Sequence, residues 1–367
     1  MTFSPGPEAE ELRGVVRDFL QRRSSESDVR RLMETETGYD IAVWQQAARE
    51  LGLQGLVIPE RWGGSEASLV ELGVVVEEMG RALFGGPFLG TAHATATLLA
   101  VGDAAANAEY FPLIAAGDLV ATVAWGTTDP LQTGIIATRE GDGWELTGTA
   151  DVVIDAPTAG LVLVPAETPQ GRGLFATTPE SRDPLVALDS SRRLTRIRFL
   201  HTPSRAVGTP GSIDQELDTA RDQAVTLLAC EQLGGAAKLL EMSVDYANMR
   251  VQFGRKIGSF QAIKHRCADM LIEVESARST AHYATWAAVH EPDDLPVAAS
   301  LAGAVCSEAY TRAALDNIQI HGGIGFTWEH PAHLYLKRAK SSQLFLGSPP
   351  WHRSRLGHLL EVPEVFA

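Results

Sequence analysis

The chain is 367 residues long, 45% apolar and 21% charged, with 46 acidic against 31 basic side chains and a formal net charge of −15. That length supports two or three domains with a large core, and the negative surface repels nucleic-acid phosphates and anionic lipid. No uninterrupted apolar run reaches the roughly 18 residues a spanning helix needs, so neither nucleic acid nor membrane is an expected partner.

The N-terminal stretch MTFSPGPEAEELRGVV has no basic segment followed by an apolar one. No secretion signal is expected, and elimination points to the cytoplasm. Residues 1–118 read as a helical domain. Glu11, Leu12, Val15, Val16, Phe19 and Leu20 give the stripe of an amphipathic helix. VWQQAARELG follows, stopped at Gly52, and SLVELGVVVEEMGRAL has Ser68 as N-cap with Glu71 three residues on.

At about residue 119 the texture changes. ATVAW, TGIIATRE, WELTGTADVV and GLVLVPA are short, rich in Val, Ile and Thr, and separated by Gly, Asp and Pro. LTRIRF at 194–199 alternates like a half-buried strand. Residues 119–210 are therefore expected to form an antiparallel β-domain.

Helix returns from Ile213 in long pieces, making 211–367 a helical bundle. Residues 214–250 are interrupted only by Gly234-Gly235, 260–290 repeat apolar positions at Ile263, Cys267, Met270 or Leu271, Val274 and Ala277, and 296–320 are Ala-rich. Cys230, Cys267 and Cys306 lie far apart in these segments, without CxxC spacing, and read as buried free thiols. The fold class is α+β, mainly α, in the order helix, strand, helix.

Common catalytic signatures are absent: no Walker loop, no GxGxxG after a strand, no GxSxG, no HExxH. His330 and His333 are three apart, but no carboxylate or thiol cluster completes a metal site. Two segments stand out. RVQFGRKIGSFQAIKHRCADM, residues 250–270, reads as a helix ending at Gly254 and another starting near Ser259, yet it gathers Phe253 with Gln252 and Gln261. IQIHGGIGFTWEHPAHLYLKRAK, residues 318–340, reads as a Gly-rich turn between helices with a polar Gln319 beside an apolar helix.

Together these segments resemble the two C-terminal motifs of the acyl-CoA dehydrogenases, and LVIPERWGG at 56–64 resembles that family's N-terminal segment. The resemblance implies the acyl-CoA dehydrogenase fold: an N-terminal helical domain, a middle antiparallel β-domain and a C-terminal four-helix bundle, usually tetrameric, with FAD at a subunit interface. It implies that Arg250 reaches a neighbour's FAD pyrophosphate and that Phe253 packs near the adenine. Gln252, Gln261, Gln319 and the Gly322-Gly323 turn fall on the same half of the cofactor, and Thr128 begins the loop that grips the flavin. A guanidinium forks across two phosphate oxygens, and a glycine pair lets backbone amides approach them, so the physics agrees.

The implied reaction is removal of an α-proton of an acyl-CoA by a carboxylate while the β-hydrogen leaves as hydride to the flavin. An electron-transfer flavoprotein or similar acceptor would then reoxidise it. Here the sequence departs from the pattern. The stretch that carries the acid in many members reads QLFLGS (343–348), with Leu346 at its place; the alternative helix position falls at Ala224. Thr128-Asp129-Pro130 begins the flavin loop, but its Gly/Ser/Asp part is missing, and the W-x-T strand aligns with Val152-Val153-Ile154.

The resemblance is therefore to the base-lacking partner subunit of actinobacterial heterotetrameric acyl-CoA dehydrogenases, acting in fatty-acid or steroid side-chain β-oxidation. Three other readings stand beside it. One is a self-sufficient homotetramer using Glu231, about two helical turns beyond Ala224, as base, although a structural role, paired with an Arg or an amide inside the bundle, is preferred for Glu231. Asp222, nearer in register, is expected to be exposed or to touch the CoA chain. The others are a flavin oxidase or monooxygenase, and a non-enzymatic binding protein.

Overall fold

The computed structural model describes Phe3 and residues 5–361; the remaining ends of the first and last zones lie outside the described residues. The chain opens with α1 (Pro7–Arg23), α2 (Glu26–Met33), α3 (Ile41–Leu51), α4 (Leu69–Arg81), α5 (Phe88–Val101) and α6 (Ala104–Ala115). The local signals act as expected. Gly52 ends α3 at φ +64°, and Ser68 and Glu71 form a reciprocal capping box on α4. In α1 the buried stripe is narrower than expected, because Val15 is exposed while Val16, Phe19 and Leu20 are buried.

Helix α5 is buried on every side from Phe88 to Leu98. Its small residues let it pass through the middle of the molecule. The hydroxyls of Thr91, Thr95 and Thr97 donate to carbonyls four residues back at 2.7–2.9 Å, so they leave no polar atom stranded.

The middle zone carries β1 (Ala121–Val123), β2 (Ile136–Glu140), β3 (Gly143–Ile154), β4 (Leu161–Thr168), β5 (Gly171–Thr177), β6 (Arg182–Pro184) and β7 (Leu194–Val207). The order is β1-β4-β2-β3-β7-β5, with β6 on β7, and a β4–β5 pairing closes the sheet on itself. The sheet is not purely antiparallel. Strand β4 runs parallel to β1 and touches β2 in parallel, while its other edge pairs antiparallel with β5. Its continuous apolar run, buried from Leu161 to Ala166, suits a central strand covered on both faces.

The last zone holds α7 (Asp214–Met249), a hairpin of β8 (Val251–Gln252) and β9 (Arg255–Lys256), α8 (Gln261–His290), α9 (Leu295–His321), α10 (Ala332–Ser342) and α11 (Pro349–Leu359). Helices α7, α8 and α9 pack on one another, with α4 docked on α7 and α8, and α10 and α11 on α9. Gly234-Gly235 does not interrupt α7. A Cβ on Gly234 would lie 1.8 Å from the Glu77 carbonyl, and one on Gly235 would lie 2.4 Å from the Tyr310 ring. The pair is a close crossing of α7 with α4 and α9. Helix α7 also stops at Met249 rather than Gly254, because residues 251–256 turn back as the hairpin, and α8 starts two residues later than Ser259. Cys230 and Cys306 are buried thiols, whereas Cys267, on the outer side of α8, is only half-buried.

Among the described residues no helix is long and apolar enough to cross a membrane, and no group of three His, Cys, Asp or Glu side chains is placed to hold a metal ion.

Candidate functional site

A cavity of about 650 Å³ opens where the three zones meet. Helix α5 contributes Leu89 and His93, and the end of β1 contributes Val123 with Trp125 just beyond it. Val152 and Ile154 of β3, Leu194 of β7 and Leu228 of α7 form further walls. The segment from Lys340 to Leu346 closes one side. Gly126 and Thr127 line the cavity, while Thr128 sits exposed on the outside of the turn. That turn is tight: the Gly126 N–H donates to the Pro130 carbonyl at 2.8 Å, and a Cβ on Gly126 would meet the Asp129 carbonyl at 2.2 Å.

The positions expected to carry a proton-abstracting acid are apolar. Leu346 is 4% exposed and lines the cavity, and Ala224 is fully buried. Among the described residues no carboxylate lines the cavity. Glu231 lies behind the wall, in a small void that also touches Leu89, Asp155, Arg192 and Arg338. Its carboxylate pairs with Arg192 and stands 3.7 Å from the Arg338 guanidinium, while the Ser342 hydroxyl donates to it at 3.4 Å.

Arg338 in turn donates to Asp189 at 2.7 Å and to the Ser191 hydroxyl at 2.7 Å. Burial pushes the nearby Asp155 carboxyl up to about 6, against the pull of Arg192 and the Gly90 N–H that donates to it. Two guanidiniums and three carboxyl groups make a buried structural knot, and Glu231 is one strand of it. Asp222 is neither exposed nor at a ligand surface. It is 1% exposed and takes both Arg355 N–H groups at 2.7 and 2.8 Å, with Arg221 beside it.

The other expected residues gather elsewhere. Arg250 caps the C-terminus of α7; Gln252 and Phe253 lie on the hairpin, and Gln261 opens α8. Phe253 is 92% exposed at φ +52°, an unfavourable backbone region for a bulky side chain, in the turn that presents it. Gln319 is exposed on the last turn of α9, and Gly322 and Gly323 have nothing where a Cβ would stand. Tyr246 stacks on His321 at 4.3 Å, and Asn317 donates to the Leu239 carbonyl and Ser243 hydroxyl at 2.9 Å. These contacts bring both motifs to one end of the bundle. Leu228 and Arg250 are about 22 positions apart along α7, a rise of about 33 Å, so the two halves of the site are far apart in one chain.

The fit to FAD differs between the halves. The hairpin end offers what a pyrophosphate and an adenine need: a guanidinium, exposed amides, an exposed aromatic ring and open glycine backbone. The cavity offers hydrocarbon at Val152, Ile154 and Leu346, where the flavin ring calls for polar partners, and so does not fit the ring half. Reading the sequence did not single out His93 or Trp125. The available signal was a lone imidazole inside the otherwise uncharged run FLGTAHATATLLAV.

Family models match both helical regions: "Acyl-CoA dehydrogenase, N-terminal domain" over residues 6–118 and "Acyl-CoA dehydrogenase, C-terminal domain" over 221–359. The chain is 37% identical to acyl-CoA dehydrogenase IpdE2 of Mycobacterium tuberculosis over 349 residues, 95% of each chain. IpdE2 of Mycolicibacterium smegmatis is 36% identical over 95% of this chain and 97% of its own. Among solved structures, a variant of the steroid ACAD Tcur3481-Tcur3483 superposes with TM-score 0.89 at 31% identity, covering 98% of this chain and 99% of its own. The ChsE4-ChsE5 complex of M. tuberculosis superposes with TM-score 0.91 at 27% identity, covering 99% and 100%.

Proposed function

The chain belongs to the acyl-CoA dehydrogenase family, whose fold is that of FAD-dependent oxidoreductases, and from that premise we propose that it is the FAD-clamping partner subunit of a heteromeric enzyme. The observation that carries this reading is the split within one chain. The cavity is walled by Leu346, Val152 and Ile154 without a carboxylate, while the hairpin end about 33 Å away presents its polar groups outward. A clamp so placed serves a cofactor seated mainly in another subunit. The likeness to ChsE4-ChsE5, a complex of two named chains, supports a heteromeric assembly, and the likeness to a steroid ACAD supports a steroid-derived acyl-CoA as its substrate.

FAD, when bound, supplies the hydride acceptor. This chain's part would be to hold and orient it: Arg250 would meet the pyrophosphate, Gln252, Gln261 and Gln319 would offer amides, and the Gly322-Gly323 turn would let main-chain N–H groups come close. Phe253, exposed on its turn, would pack near the adenine. The carboxylate that takes the α-proton comes from the homologous subunit, since Glu231 is tied to Arg192 and Arg338.

The test is turnover. The chain alone, given several acyl-CoAs and a ferrocenium acceptor, should reduce none of it. The same chain co-purified with a homologous subunit carrying a carboxylate at the position equivalent to Leu346 should do so. Full turnover by the isolated chain as a homotetramer would overturn the proposal.

A further inference from the structure

The cavity that lacks the features of a flavin pocket has a polarity of its own. Two of its lining residues carry nitrogen atoms without a protein partner: His93 at Nε2 and Trp125 at Nε1. Both residues are deeply buried, at 2% and 8% exposure. Unpaired buried polar atoms are costly and uncommon, and they point to a partner the protein itself does not supply. Around them Leu89, Val123, Val152, Ile154 and Leu228 offer only hydrocarbon. A volume of about 650 Å³ falls in the range of small-molecule sites, about 300–1,000 Å³.

We propose that this cavity is a ligand site for a bulky apolar molecule bearing one hydroxyl group, to which the Trp125 indole donates and from which His93 Nε2 accepts. The indole N–H can only donate, so the ligand atom it meets is an acceptor. The imidazole is buried and faces the Ala224 carbonyl, with Arg192 nearby. Desolvation first, and then Arg192, push it down to about 3, so it stays neutral and pairs with a neutral oxygen function. Lys340, half-buried, is the one Lys, Arg, Asp or Glu among the described residues on the lining, and the hydrocarbon around His93 and Trp125 favours a neutral ligand body. The site is a selectivity element for oxygenated hydrocarbon, separate from the clamp. It rests on the partner-subunit reading, in which the flavin ring is not held here.

The experiment uses a matched pair of probes, cyclododecanol and cyclododecane, with the purified full chain and with its heteromeric complex. Binding is followed by tryptophan fluorescence and by the thermal shift that ligand linkage produces. The parent chain should bind the alcohol about tenfold more tightly than the hydrocarbon. His93→Phe keeps a planar ring and should hold the hydrocarbon within about twofold while losing the preference for the alcohol. Trp125→Phe should lose part of that preference, and it carries the test if His93→Phe fails to melt cooperatively. Equal binding of both probes by the parent, or binding of neither by a flavin-free chain, would overturn the proposal and leave the cavity as hydrated space. One flavin per isolated chain, seen by visible absorbance, would instead overturn the partner-subunit reading on which it rests.

Discussion

Tyr246 and His321 stack with ring centroids 4.3 Å apart and planes 30° from parallel, pinning the end of α7 to the end of α9. The contact couples the hairpin carrying Arg250 and Phe253 to the turn carrying Gly322 and Gly323. The stack and the Asn317 hydrogen bonds just behind it make them a single surface with a fixed spacing.

Flavin content follows from the split. Purified alone, the chain should carry clearly less than one FAD per subunit, since the walls at Val152, Ile154 and Leu346 give the ring no hydrogen-bond partner. Co-expression with the homologous subunit should bring the content to one flavin per heterodimer, read from the ratio of visible to ultraviolet absorbance. A yellow homotetramer with a full complement would contradict this.

Arg250→Ala should weaken flavin retention in the assembled complex by about 1.5–3 kcal/mol, the worth of a charge-assisted contact shielded from water. Arg250→Lys should recover only part of that, because an ammonium cannot fork across two oxygens. The fold should survive both, since Arg250 is exposed and only caps the helix. Flavin release on dilution is the measurement, and unchanged release in Arg250→Ala would reduce Arg250 to a helix-end charge.

Glu231→Gln should lower stability and spare chemistry. Neutralising one member of a buried pair leaves Arg192 without its counter-charge, a loss of about 3–5 kcal/mol. Acyl-CoA oxidation by the complex should stay within about tenfold of the parent, or about 1.4 kcal/mol in the barrier. A thousandfold loss with an unmoved melting curve would make Glu231 the base after all.

His93 sets a pH dependence with a definite sign. Its folded pKa is lowered to about 3, against about 6.5 for a free imidazole, so below pH 6.5 the unfolded chain binds the extra proton. Stability contributed by the neutral ring is present above that range and drains away as pH falls from 6.5 toward 3. Between pH 7 and 5 the parent should lose about 2 kcal/mol more than His93→Phe, compared by urea titration. Burial also pushes His330 and His352 down to about 4, but they titrate in both proteins and cancel in the difference. Parallel losses would mean that the folded ring takes up a proton as readily as a free one.

The sequence made some of this legible and hid the rest for physical reasons. Local devices could be read because their partners are close in sequence: Ser68 with Glu71, Gly52 at its left-handed stop, the alternation after Leu194. GLVLVPA could be read as a strand from its composition, but its cover on both faces and its parallel neighbours depend on strands far along the chain. Gly234-Gly235 looked like a break because a close helix crossing and a helix breaker share one letter. Asp222 and Glu231 were opaque because their partners, Arg355 and Arg192, lie on elements far along the chain. His93 escaped notice for the same reason: only the fold brings α5 to the wall that holds Trp125.

The unbroken run of α7 has a genetic consequence. A rod that keeps the cavity and the hairpin about 33 Å apart also makes them separable lesions. On the partner-subunit reading, damage at Phe253 or Arg250 is felt by the companion polypeptide, while damage at His93 stays with its own. An allele with a ruined hairpin but intact packing would still assemble and silence its companion, so it would act dominantly when over-produced. A cavity allele would leave the companion's cofactor held, and would be recessive.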